Sequence, residues 1–162
     1  MKFKPVPEAP ENLDFVRDVQ RALPLVPDVT DDCCARVMRR AGVENRDTAG
    51  TWLTFLRALE LAEETEDGTF VRRRREPERN ELAESFQTRV YGASTVLGIL
   101  FDEDPLEADA VFEAFSETVP PSRRGGDSTR AESVWHKRVG NVLDWAVLLG
   151  LAERANGGYV RA

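Results

Sequence analysis

The chain has 162 residues, 31% of them charged and 41% hydrophobic, with a formal net charge of −7. That length fits one domain or two small ones, and no apolar run approaches the roughly 18 residues of a membrane span. An acidic balance on its own argues against a nucleic-acid binder. The opening Met1-Lys2-Phe3-Lys4-Pro5 lacks the apolar stretch of a signal peptide, so a soluble, cytoplasmic protein is expected.

Pro5, Pro7 and Pro10 make the first ten residues an extended arm that cannot be helical. From Glu11 onward, Leu13, Val16, Val19 and Leu23 recur at helical spacing and stop before Pro24. Leu25 to Val29, short and broken by Pro27, suits an edge strand. Thr30 is placed to cap a second helix, with Cys33, Val37, Met38 and Ala41 inward and Gly42 at its end. Adjacent cysteines form only a strained disulfide, and two alone do not complete a tetrahedral zinc site. Cys33 and Cys34 are therefore read as small buried or half-buried helix side chains. Asn45 caps a third helix whose inner face is Ala49, Trp52, Leu53, Leu56 and Leu59. A hairpin from Leu61 to Arg73 follows, turning at Asp67-Gly68.

Arg74 to Arg79, with Pro77 inside it, reads as a linker. A longer helix is predicted from about Asn80 to Phe101, with Phe86, Val90, Ala93, Leu97 and Leu100 on one stripe. Leu106, Ala110, Val111 and Phe115 give the next helix, ended by Pro120-Pro121. Ser122 to Thr129 is a polar Gly-Gly loop, and Thr129-Arg130-Ala131-Glu132 reads as a capping box. The last helix turns Val139, Val142, Leu143, Ala146 and Leu149 inward. Trp52, Trp135 and Trp145 read as core or inter-module packing.

The chain also repeats itself. Leu53 to Glu63 recurs as Leu143 to Glu153, 90 residues later, with the core positions in register. Each copy then runs into an aromatic-Val-Arg strand, Phe70-Val71-Arg72 and Tyr159-Val160-Arg161. The second turn is one residue shorter, where a hairpin tolerates a deletion. This order of helix, strand, helix, helix and two-stranded wing resembles the winged helix-turn-helix superfamily, and the doubling resembles tandem winged-helix proteins of archaea and bacteria. The resemblance implies a mainly α fold with small β wings: two winged helix-turn-helix modules in tandem, over residues 11–75 and 80–162. It also implies duplex DNA as partner, with the third helix in the major groove and the wing on the flanking backbone. Some members of the superfamily are protein-interaction modules instead, such as the acidic tandem subunits of chromosome-organising complexes, so the fold alone does not choose.

Lys2, Lys4 and Lys137 are the only lysines and Ile99 the only isoleucine. Acid-rich, lysine-poor composition resembles that of proteins from halophilic archaea, in which a carboxylate surface stays hydrated in concentrated salt. An ordinary acidic protein from a GC-rich genome has the same composition. On the first reading net charge is background, and the local distribution of cations decides.

Three groups of cations are candidates for DNA contact. Arg72, Arg73, Arg74 and Arg75 follow the first wing strand, where guanidinium groups could meet phosphates if the wing tip delivers them; pairing with Glu76, Glu78 and Glu81 is the plain alternative. The outward positions of the third helices are Arg46, Thr48 and Thr51 in the first module and His136, Lys137, Arg138 and Asn141 in the second. These residue types suit base edges or phosphates, although an ordinary charged helix face accounts for them equally. Arg123, Arg124 and Arg130 extend the second group, while Asp47 and Asp144 would repel phosphate. Asp102 to Glu117 carries seven carboxylates and no basic residue, a solvated face or a docking site for a basic protein partner. A single histidine, and no nucleotide, zinc or hydrolase motif, point to no enzyme, no metal and no cofactor. The sequence leaves a homodimer open.

Overall fold

The computed structural model describes residues 2–27, 32–120 and 128–162. They divide into two compact units, Met1–Val90 and Tyr91–Ala162. The first comprises α1 (Leu13–Arg21), α2 (Cys33–Ala41), α3 (Arg46–Ala58), β1 (Ala62–Glu64), β2 (Phe70–Arg72) and α4 (Arg79–Arg89). Side-chain oxygens of Asn12, Asp32 and Asn45 accept first-turn N–H groups of α1, α2 and α3, each cap contributing about 1 kcal/mol. Gly42, at φ 72°, closes α2. Val16, Val19, Val37, Trp52, Leu53 and Leu56 form the core. α3 also buries Phe55 and Ala58, and the Phe55 ring meets Phe86 of α4 edge-on at 6.4 Å. Gln20 is buried and donates to the carbonyls of Leu61, Arg73 and Arg75, stitching α1 to the base of the wing. The extended arm is docked: the Phe3 N–H donates to Arg89 O at 2.7 Å, and its ring is buried near the guanidinium groups of Arg57 and Arg89.

The second unit comprises α5 (Ala93–Ile99), α6 (Ala108–Thr118), α7 (Thr129–Leu148), β3 (Ala152–Ala155) and β4 (Gly158–Arg161). Leu106 pairs with Tyr159 through reciprocal backbone bonds of 3.1 and 2.9 Å, a one-residue third strand. Trp135 stacks on Phe115 and meets Tyr91 edge-on.

The repeat survives to the level of single hydrogen bonds. Leu61 N–H reaches Leu56 O at 2.9 Å as α3 ends, and Leu151 N–H reaches Ala146 O at 2.8 Å as α7 ends. Both ends carry one left-handed residue, Glu60 (φ 62°) in the first and Gly150 (φ 77°) in the second, the geometry of a Schellman cap. Arg72 N–H donates to Pro24 O, and Arg161 N–H donates to Phe101 O. Leu53 and Leu143 are both buried, as are Val71 and Val160 of the two wings. The deletion falls in the turns: the first hairpin closes through Thr65 and Thr69, and the second through Asn156 and Gly157, both with positive φ. The architecture is thus mainly α, with a winged helix-turn-helix pattern in each unit.

Several expected elements differ. The predicted Asn80–Phe101 helix is two helices, because Val90 is extended and bridges to Phe3 while Gly92 takes φ 85°. An alanine at Gly92 would also meet the Phe115 ring at 3.0 Å. Leu25 and Val26 form a bend rather than a strand; Asp28, Val29 and Thr30 lie outside the described residues, and Asp32 caps α2. Ser128, one residue before the predicted capping box, caps α7 through Ala131 N–H. Leu106 pairs as a strand instead of opening α6. Among the described residues no helix is long and apolar enough to cross a membrane.

Candidate nucleic-acid interface

Capping geometry fixes what the start of α3 presents. Arg46 follows the Asn45 cap and donates two hydrogen bonds to Asp32, at 3.0 and 2.8 Å. That bond, more than any other contact, holds the Asp32 carboxyl down at about 2, and Asp32 in turn raises the Arg46 pKa. Thr48 gives its N–H to Asn45, leaving its side chain exposed, and Thr51 turns its hydroxyl back to Asp47 O at 3.1 Å.

α7 starts two turns earlier relative to the repeat and presents a different set. Arg130, His136 and Lys137 are exposed, and Asn141 is half-buried. The His136 Nε2 lies 2.6 Å from Asp109 Oδ1 of α6, with the ring edge-on to Phe112. Arg138 lies half-buried with its guanidinium 4.6 Å over the Trp135 ring; burial lowers its pKa. No carboxylate among the described residues pairs with it. Asp144, expected to repel phosphate, accepts from Tyr159 Oη at 2.6 Å and Arg154 Nη2 at 2.7 Å. Burial first, then the bond to Asp144, pushes the Tyr159 phenol up to about 12. Asp144 therefore ties α7 to its wing with its charge offset by Arg154.

The arginine run sits elsewhere than the sequence suggested. Strand pairing sets Arg72 opposite Ala62, at the base of the wing, while the tip is Glu66-Asp67-Gly68. The run follows the returning strand, so it emerges beside the end of α3, where Arg73 N–H donates to Leu61 O. Arg72 is half-buried, and its Nε has no hydrogen-bond partner among the described residues. Arg73 lies 3.7 Å from Glu63, and Arg75 pairs with Glu60 and Glu81. Arg74 is exposed and carries no ion pair among the described residues. Arg123 and Arg124 lie outside the described residues.

The carboxylates Asp102, Glu103, Asp104, Glu107, Asp109, Glu113 and Glu117 are all exposed, and Phe101 beside them is 56% exposed. Two clusters escaped the sequence reading. Glu60 accepts from Ser85 at 2.7 Å, Arg89 at 3.3 Å and Arg75 at 3.4 Å; the available signal was a glutamate in the copy whose twin has glycine. The Asp144–Arg154–Tyr159 group is the other, and only the hairpin register brings it together. Among the described residues no three metal-ligating side chains converge.

The family model of the halobacterial double winged helix domain matches residues 1–162. Comparisons with curated proteins and with solved structures gave no match.

Proposed function

Because the chain belongs to the halobacterial double winged helix domain family, we propose that it is a cytoplasmic, DNA-binding transcriptional regulator, with no catalytic step, metal or cofactor in its action. The observation that carries this reading is the outer face of α7. Arg130, Lys137 and Arg138 supply charge for phosphates, and Asn141 supplies an amide of the kind that reads adenine. The acidic surface is then the background of a protein adapted to concentrated salt, and the cations stand out locally against it. Titration of a labelled random-sequence duplex at several salt concentrations tests the reading: binding must weaken as salt rises.

A second reading, an interaction scaffold, draws on the carboxylates from Asp102 to Glu117 beside the exposed Phe101. It gains ground if the folded protein binds no duplex at any salt and instead retains a basic polypeptide.

A further inference from the structure

The internal repeat allows the two third helices to be compared position by position. Arg46, Asp47, Thr48 and Thr51 of α3 stand where α7 has His136, Lys137, Arg138 and Asn141. Thus α3 presents a carboxylate and a hydroxyl where α7 presents an ammonium and a guanidinium. Arg46 is gripped bidentately by Asp32, as its counterpart His136 is held by Asp109 at 2.6 Å, so the contrast lies at the next two positions.

Farther along, the last turn of α3 is covered. Arg57 donates to Glu64 at 2.8 Å, its guanidinium lies 5.1 Å from the Phe3 ring, and its carbonyl accepts from Arg89 of α4. Phe86 of α4 closes over Phe55. The wings differ in the same sense. Two carboxylates, Glu66 and Asp67, occupy the first tip, whereas the uncharged Asn156-Gly157 turn forms the second. A duplex carries one negative charge per roughly 1.7 Å of its axis, so an acidic tip is repelled where the other is tolerated.

We infer that the two modules are unequal: α7 and its wing read the duplex, and α3 enters no groove. The inference rests on the DNA-binding reading and assigns it to one module. Helix sequence and wing charge point the same way.

Fluorescence anisotropy with a labelled duplex tests it on the full chain, with each variant first shown folded by circular dichroism. Lys137→Ala with Arg138→Ala weakens duplex binding and flattens the slope of log affinity against log salt by about 0.9 per lost phosphate contact. Arg138 stacks on Trp135, so the exposed pair Arg130→Ala with Lys137→Ala is measured beside it and flattens the salt dependence in the same way. Thr48→Ala with Thr51→Ala leaves Kd within about twofold. Equal losses from the α3 and α7 variants, or no loss from either α7 pair, overturn the assignment while leaving DNA binding intact. A folded wild type with no duplex affinity overturns the DNA reading, and the assignment falls with it.

Discussion

Glu60 occupies a left-handed position that its repeat twin fills with glycine, and the two costs involved can be separated by mutation. A non-glycine residue in that conformation costs roughly 1–2 kcal/mol. Against this stands a carboxylate that accepts from the buried Ser85 at 2.7 Å and from Arg89 and Arg75 at 3.3 and 3.4 Å. A hydrogen bond to a charged group contributes about 1.5–3 kcal/mol, and partly exposed ion pairs add about 0–1 kcal/mol each. Glu60→Ala keeps the strain and loses the partners, so it destabilises by about 2–4 kcal/mol. Glu60→Gly loses the same partners and relieves the strain, so it is milder by about 1 kcal/mol. Denaturant unfolding at fixed salt measures the difference. The carboxyl is held below its ordinary 4.5 chiefly by the Ser85 hydrogen bond, with Arg89 and Arg75 assisting against burial. Its stabilisation is therefore present above the unfolded value and lost as pH falls through the lower folded one. The gap between wild type and Glu60→Gln should close on acidification. A glycine variant less stable than the alanine variant would show that position 60 carries no strain, and a gap indifferent to pH would show that the carboxylate is not held by these partners.

Gly158→Ala should destabilise the second unit by about 1–3 kcal/mol, because a Cβ there would meet Leu106 O at 2.7 Å, a backbone atom that cannot yield; calorimetry showing wild-type stability would contradict this. Ultraviolet titration of the folded protein should show one phenol ionising near 12, well above the ordinary 10.0, and Asp144→Asn should bring it down. Since the folded value is raised, that phenol's contribution to stability is whole below 10 and fades as pH climbs through 12.

What the sequence disclosed depended on how local the determining interaction was. The Asn45 cap, the Gly42 stop and the Asp67-Gly68 turn are decided within a few residues, and the aligned Leu53 and Leu143 carry the tandem fold. The break at Val90–Gly92 was hidden because an apolar stripe continues across it, and only the docking of Phe3 gives Val90 a strand partner. The site was less legible. A run of four arginines gives no direction, and strand register decides that it lies at the base of the wing. Pairings such as Arg46 with Asp32 and Asp144 with Tyr159 span turns that composition does not reveal.

The proposed binding of duplex DNA by this acidic tandem winged-helix chain rests on localised cations. Its most direct test is the affinity of the folded protein for a random duplex across a series of salt concentrations. With two or three phosphates neutralised by the α7 cations, log affinity should fall against log salt with a slope of about −2 to −3. A flat line, or no binding while circular dichroism reports an intact fold, excludes binding through these cations and leaves the protein-scaffold reading in its place.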